Sequence, residues 1–518
     1  MSEETSPLLQ NGSQSSYNTT NENGNSHHEA ASQATEEEQP SPKSFLTLII
    51  PMAVGIFLCA MDQTIVVSSY AAIGSDMNQL QNTSWIATSY LLTITSFQPL
   101  YGKLSDIFAT NMTQLVAARA FAGIGGGGMQ TIVSIIMSDV VPLRSRGTWQ
   151  GVLNIVWSTG NSVGASLGGY LADTIGWRWA FLIQVPITIV AIISVSLALH
   201  LPKVDTSDFK AKLKRVDISG AIALVLTVFF LLFALDRGGN ISWSDRLTVS
   251  SIVAFVISFL AFAFIEMEHA KEPFAPKRII ANRSLIASYL VNFFGIASAF
   301  TQLFHLSLYL QAVLGKTASE AGLWLILGVL GGLTGSLTGG LIIQATAKFY
   351  AITVVGYVLL LCGTLTVTFT SGVLIVSSLG VAIGLGVSSI GNGSGVTTSL
   401  VSLIANAGQA DQAIATAVSY LFRSLGSVVG LSVGSTLVQG SLRSSLRQKL
   451  SGDDVDEIIR KVRESLDYLN QLDPERRAIV RSSYNEAIHV TFWFSVGLAA
   501  CALVSSLFIK EKNLANRT

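Results

Sequence analysis

The sequence predicts an all-α polytopic membrane protein, and three observations carry the prediction. Of its 518 residues, 50% are hydrophobic. Only 12% are charged, against roughly 25% in soluble domains. The apolar residues collect in runs of about 20, the length a helix needs to cross a hydrocarbon core of roughly 30 Å. Formal net charge is zero, so nothing in the balance favours nucleic acid as a partner. Cys59, Cys362 and Cys501 all lie in apolar runs, where buried and inert thiols are expected. They supply no disulfide framework and no metal set, and no cofactor is expected.

Taken in order, the chain opens with residues 1–42, rich in Ser, Asn, Thr, Gln and Glu. That composition cannot bury a core and is expected to form a disordered cytosolic tail. No charged and then apolar leader is present, so the first span is expected to act as the insertion signal. About thirteen candidate spans follow, at 45–67, 84–104, 113–138, 147–171, 178–200, 217–235, 247–266, 284–312, 320–344, 349–370, 373–398, 412–438 and 490–509. Between the last two, residues 440–489 form a long loop. Within it SGDDVDEIIRKVRESLDYLNQL places apolar residues at 455, 458, 459, 462, 466, 469 and 472, the spacing of a helix with one apolar face. That helix is expected on the membrane surface opposite the cytosol.

Charge sets the sides, because basic residues near span ends collect in the cytosol. PLRSRG (142–147), KVDTSDFKAKLKR (203–215), HAKEPFAPKRIIANR (269–283), Lys348 and the tail KEKNLANRT are separated by even numbers of spans. They therefore share one side. The amino-terminus breaks the order, since three spans separate it from PLRSRG. The conflict falls across YGKLSDIFATNMTQLVAARAFAGIGGGGM (101–129), where a loop start and the middle of a later span are joined by few polar residues. Two sequons, at Asn82 and Asn240, are candidate glycosylation sites in non-cytosolic loops, the first if the amino-terminus is cytosolic.

Three spans repeat glycine every fourth residue: Gly160, Gly164, Gly168; Gly331, Gly335, Gly339; Gly426, Gly430, Gly434. Each set lines one face and lets a neighbouring helix approach closely. Static packing and a sliding interface both fit, and recurrence in both parts of the chain fits the internal repeats of transporters. Asp62 lies in the first span, where a carboxylate costs roughly 2.5–3.5 kcal/mol on insertion scales. It can carry a proton, hold a cation, or sit hydrated near an interface. Arg119 also lies within a span, beside the glycine run 125–128, and should face a cavity or a carboxylate. Arg423 is a third charge in a span. Asn154, Asn161, Asn292, Gln302, His305 and Asn392 add uncharged polar groups, candidates for lining a cavity or for bonding a neighbouring helix. No GxxxxGK[ST] cradle appears, which speaks against direct ATP drive and leaves an ion gradient. No catalytic or metal constellation supports an enzyme.

MDQTIV around Asp62, GKLSD (102–106), AARAFAGIGGGG (117–128), PLRSRGTWQG (142–151), the GxxxGxxxGG set (160–169) and GWRWAFLIQVP (176–186) follow one another in order. Together they resemble the major facilitator superfamily, its fourteen-span drug:proton antiporter branch, and within that the fungal vacuolar basic-amino-acid transporters. The resemblance covers residues from about 44 to 512. It implies a major facilitator two-bundle fold with a central cavity that opens alternately to each side. An amino-terminal bundle at 43–200, a linker with two extra spans at 201–283, a carboxy-terminal bundle at 284–512 and a cytosolic tail at 513–518 are its expected parts. It also implies that Asp62 and Arg119 serve proton and substrate coupling. Gly102, Lys103 and Asp106 would start a cytoplasmic gating loop, and Gly160, Gly164, Gly168 and Gly169 would form an antiporter motif.

Two departures from that pattern matter. Ala165 stands where a proline is expected after Gly164. After Phe108 the family continues with Gly-Arg-Lys and a whole third span, whereas here the chain runs into ATNMTQL. The resemblance and the charge parity agree that about one span is missing, from a shortened variant or from the reading of the gene.

EETSPLL (3–9) sets Glu4 four residues before Leu8-Leu9 and resembles an adaptor-read sorting signal toward the vacuole or lysosome. Three readings stay open. The first is a proton-coupled transporter of lysine, arginine and histidine into the vacuole. The second is a plasma-membrane multidrug:proton antiporter. The third is a non-transporting nutrient sensor, for which the short cytosolic loops offer no signalling domain. The expected partners are small cationic amino acids, protons, the lipid bilayer and a sorting adaptor at the amino-terminal tail.

Overall fold

The computed structural model describes residues 42–83, 85, 112–114, 116, 119, 143–198, 218–269, 277–280, 282–407, 411–451 and 454–512. The tail with Glu4, Leu8 and Leu9, the loop residues Gly102, Lys103 and Asp106, the candidate span 84–104, most of 113–138, and residues 513–518 lie outside the described residues.

The apolar runs form long helices. The amino-terminal part holds α1 (Pro42–Asp76), α2 (Leu143–Thr174), the short α3 (Arg178–Leu182) and α4 (Gln184–Ala198). An antiparallel pair follows, α5 (Ile218–Asn240) and α6 (Arg246–Phe264). The carboxy-terminal part holds α7 (Arg283–Leu308), α8 (Ala318–Thr346), α9 (Tyr350–Thr370), α10 (Ser378–Ala407), α11 (Gln412–Lys449), the short α12 (Val455–Glu464) and α13 (Pro474–Ser506). Among the described residues eight helices are long and apolar enough to cross a membrane, and α1 makes a ninth if its two parts, bent by 59°, count as one span. No strand is present among them beyond an isolated Ser371–Val376 bridge.

Local chemistry sets the helix ends. Asn282 caps α7 by accepting from the Ser284 and Leu285 amides, and Thr317 and Glu320 form a reciprocal capping box on α8. Pro474 opens α13, where its missing N–H costs nothing. On α6 the large apolar side chains Leu247, Val253, Ile257, Leu260 and Phe264 stay exposed, as lipid-facing groups do.

The glycine sets form the helix seams. Gly160 and Gly164 lie on the Phe57 and Met61 carbonyls, joining α2 to α1. Gly335 lies on the Ile390 carbonyl, joining α8 to α10, while Gly426 and Gly430 lie on the Phe293 and Ala297 carbonyls, joining α11 to α7. A Cβ at any of these positions would run into backbone, which cannot swing aside as a side chain can. Between the two parts, Gly169 of α2 meets the Ala318 carbonyl and Gly322 of α8 meets the Ala165 carbonyl. Tyr70 Oη donates to the Phe304 carbonyl at 3.3 Å.

The assembly has two distinguishable ends. At the basic end, Glu511 accepts from the Phe349 and Tyr350 amides at 2.9 and 2.8 Å, beside Lys348 and Lys510. The opposite end gathers Asn82, Asn240 and the connection 450–473. Met112 packs in one apolar cluster with Tyr70, Ile73, Leu171 and Trp177 toward that opposite end. Arg119 follows it toward the basic end, beside Asp62. Thr83 and Met112 thus share an end, while the sequence between them carries one apolar run of spanning length, 84–104. A single crossing would set them apart. The described helices meet the same parity conflict as the basic loops.

Three expectations need correction. α11 continues to Lys449 and α13 begins at Pro474, so the loop expected over 440–489 is the shorter 450–473, and the last helix starts well before 490. The amphipathic helix does not lie on the membrane surface: Ile458, Ile459 and Val462 are buried with Leu446, Leu450 and Tyr484 over the end of the bundles. An apolar face is covered equally well by the protein's own end as by lipid, and the periodicity cannot distinguish the two. It also breaks at Ser465, and Asp467–Gln471 is a 3₁₀ turn. Of the three thiols only Cys59 is buried, and Cys362 and Cys501 are exposed among apolar surface. In a bilayer that surface is apolar too, so an apolar run does not imply an interior position.

Candidate functional site

Two charges meet inside the amino-terminal part. Asp62 of α1 and Arg119 are 4% and 1% exposed. Arg119 Nη1 donates to Asp62 Oδ1 and Oδ2 at 3.0 and 2.9 Å, and Nη2 reaches the Asp62 carbonyl at 3.5 Å. The guanidinium carbon stands 5.5 Å from the centre of the Phe181 ring. Gln184, fully buried at the start of α4, donates from Nε2 to Asp62 Oδ1 at 3.3 Å and to the Ala180 carbonyl at 3.0 Å.

The frame of this site is built from the family-like motifs. Gly164 brings α2 onto the carbonyl of Met61, the residue before Asp62. With its amide turned so that nitrogen and oxygen each meet a complementary group, Asn161 donates to the Ala60 carbonyl and accepts from Trp157 Nε1, both at 2.9 Å, which staples α2 to α1. Gly176 takes φ of +100° in the turn before α3, and Trp177 Nε1 donates to Asp76 Oδ2 at 3.2 Å. That turn fixes Phe181 and Gln184 against the pair. The sequence marks Gln184 only as a lone amide in GWRWAFLIQVP. Gly168 is buried on α2; Asn154 lies on the same helix, and its side chain is outside the described residues.

A second polar cluster occupies the carboxy-terminal part. Asn292 Nδ2 donates to the Ser288 carbonyl at 2.8 Å and to Ser419 Oγ at 3.3 Å. Its Oδ1 accepts from Ser399 Oγ at 3.1 Å and from Arg423 Nε at 3.0 Å. Arg423 Nη2 donates to the Val396 carbonyl at 3.1 Å. Asn392 Oδ1 and Gln302 Nε2 are buried without hydrogen-bond partners among the described residues. His305 Nδ1 donates to the Thr301 carbonyl at 2.7 Å, and its ring covers the bare face of Gly434. The three span charges are therefore sorted: Asp62 pairs with Arg119, and Arg423 stands in the other part.

At the opposite end the two parts are tied together. Asp173 of α2 accepts from the Ala318 amide at 3.3 Å and the Ser319 amide at 2.6 Å, across to the first turn of α8. Ser75 of α1 accepts from the Leu466 amide at 2.9 Å, just after α12. Arg463 donates to Asn240 Oδ1 at 2.8 Å and to Gln439 Oε1 at 2.9 Å. Asn240 Nδ2 is itself committed, to Asp236 Oδ1 at 3.0 Å and to Asn82 Oδ1 at 3.5 Å. A glycan on that nitrogen would displace it from Asp236. Asp173 and Ser75 carried no sequence signal beyond an acid and a hydroxyl near helix ends.

A family model described as Major Facilitator Superfamily matches residues 107–431, more than half of the chain. The chain belongs to the major facilitator superfamily. A second model, Sugar (and other) transporter, matches residues 9–202. Membership makes this facilitator a transporter-family protein and not an enzyme. It is similar to the vacuolar membrane amino acid uptake transporter fnx2 of Schizosaccharomyces pombe, 37% identical over 494 residues, 89% of this chain and 84% of the relative. It is similar to the multidrug resistance protein fnx1 of the same organism, 35% identical over 90% of this chain and 92% of the relative. It is also similar to vacuolar basic amino acid transporter 2 of Saccharomyces cerevisiae, 31% identical over 84% of this chain and 98% of the relative. Among solved structures, a bacterial homologue of the human lysosomal transporter Spinster, inward-facing and unoccupied, superposes with a TM-score of 0.61 at 14% identity, over 90% of this chain and 98% of that one. At that identity the likeness speaks for the fold alone.

Proposed function

We propose that this facilitator is a proton-coupled transporter that moves basic amino acids from the cytosol into the vacuole. The observation that carries the coupling is the buried Asp62–Arg119 pair, held by Gln184. A proton on Asp62 removes the charge that holds Arg119, so protonation and a rearrangement of the amino-terminal bundle are one event. An acidic vacuole drives the cycle, each pH unit being worth about 1.4 kcal/mol per proton. The vacuolar amino acid transporters among the relatives support the substrate class and the membrane. Glu4 and Leu8-Leu9 would supply the address through a sorting adaptor, and Gly102, Lys103 and Asp106 a gate at the cytosolic side. Gly160, Gly164, Gly168 and Gly169 would be the sliding seam of the antiporter motif.

The parity conflict between Thr83 and Met112 supports the loss of about one span after Phe108. Uptake of labelled lysine, arginine and histidine into energised vacuolar vesicles tests the reading, with Asp62→Asn as control. A second reading, a multidrug pump at the plasma membrane, draws on the likeness to fnx1. Surface localisation and drug sensitivity on deletion would favour it.

A further inference from the structure

Asp62 and Arg119 of the amino-terminal part pair with each other, whereas the half-buried Arg423 of the carboxy-terminal part faces no carboxylate among the described residues. Arg423 spends Nε on Asn292 Oδ1 and Nη2 on the Val396 carbonyl, both neutral acceptors. Its Nη1 has no hydrogen-bond partner, and no carboxylate pairs with it, among the described residues. Tyr357, fully buried on α9, lies within electrostatic reach of Arg423; its Oη has the Ser399 hydroxyl beside it and makes no well-formed hydrogen bond there. Asn392 Oδ1 has no hydrogen-bond partner among the described residues. The two atoms converge on one glycine: a Cβ on Gly295 would stand 3.5 Å from Tyr357 Oη and 3.6 Å from Asn392 Oδ1. On α10, Gly395 lies under the Tyr357 ring and Ser399 bonds Asn292.

The Arg423 guanidinium and the Tyr357 phenol thus lie against the same stretch of α10, Gly395, Val396 and Ser399, inside a span. The Arg423 guanidinium carbon stands 5.3 Å from the centre of the Tyr420 ring, and a cation at membrane depth that has no carboxylate beside it is still costly. A planar carboxylate is the anion that matches a guanidinium edge and also accepts from a phenol.

We propose that Arg423 and Tyr357, backed by Asn292 and Ser399, form an anion site that takes the α-carboxylate of the transported amino acid. This rests on the amino-acid reading above and names the part of the substrate that the carboxy-terminal part holds. The side-chain cation of a basic substrate is left for other groups.

The test is thermal stabilisation of the full chain purified in detergent by lysine, lysinamide, cadaverine and propionate. It is repeated with Arg423→Gln, Arg423→Lys and Tyr357→Phe, after the unliganded melting temperature of each variant is checked. Lysine is expected to stabilise the wild type at concentrations about 10- to 100-fold lower than lysinamide or cadaverine, the effect of one charge-assisted contact. Arg423→Gln should bring the three compounds within about threefold of one another, Arg423→Lys should keep part of the difference, and Tyr357→Phe should weaken lysine alone. Equal stabilisation by lysine and lysinamide in the wild type overturns the site, as does an undiminished preference in a folded Arg423→Gln chain. If the Gln variant does not fold, the wild-type comparison and Tyr357→Phe decide. If lysine fails to stabilise, and arginine and histidine added as further probes fail as well, the basic-amino-acid reading fails. Propionate then decides the site by itself: protection lost in the Arg423 variants keeps it, and no protection overturns it.

Discussion

Arg119 and Asp62 lie 57 positions apart in the chain and 2.9 Å apart in the fold, each almost wholly buried. Removing one partner of such a pair leaves the other as a lone buried charge, at a cost of about 3–5 kcal/mol. Asp62→Asn and Arg119→Gln are each expected to lower the melting temperature of the purified chain clearly. The double variant should melt higher than the sum of the two losses predicts, since it leaves no lone charge. Additive losses would mean that the two side chains act independently.

The α1–α2 seam makes a second prediction. Gly164→Ala pushes a methyl group into the Met61 carbonyl beside Asp62 and should cost about 1–3 kcal/mol, with slower uptake. Gly440→Ala, where nothing lies within 4 Å, should be neutral. Matched thermal scans separate the two, and equal effects would remove the seam from the account.

Much of this was legible beforehand. Long apolar runs and fourth-residue glycines gave the helices and their contact faces, because both patterns are local. Asp62 and Arg119 stood out singly, since charge within a span is expensive. Their pairing did not, because it depends on how distant helices pack. Gln184 hid inside an apolar motif. Asp173 looked like an ordinary solvated helix end, yet it bonds the first amides of α8. The burial of α12 was unreadable, because its apolar stripe suits a membrane surface and a protein end alike.

Closure at the opposite end depends on Asp173, Ser75 and Arg463. Asp173→Ala should remove the bonds to the Ala318 and Ser319 amides while leaving the Thr317–Glu320 box on α8, at about 0.5–2 kcal/mol, and loosen that end. The check is a cysteine at buried Thr83, in a chain with its native cysteines replaced. Labelling by a membrane-impermeant thiol reagent from the vacuolar side should rise several-fold in Asp173→Ala. Unchanged labelling would show that the tie does not hold the end shut.

The start of α1 and the Glu511 contact lie at one end of the fold. Protease added outside sealed vesicles should therefore remove tags at both termini, or neither. Removal of only one would place the termini on opposite membrane faces and contradict the helix order described here. Restoring a family third span after Phe108 should raise both the melting temperature and the uptake rate.

Proton coupling at Asp62 is decided by uptake of labelled lysine into energised vacuolar vesicles. Wild-type and Asp62→Asn chains would be compared at equal vesicle abundance, with and without a proton gradient. Gradient-dependent uptake is expected in the wild type, with a loss of about tenfold or more in Asp62→Asn, as for removal of one charged, hydrogen-bonded group. Gradient-dependent uptake that survives in Asp62→Asn would contradict coupling at Asp62.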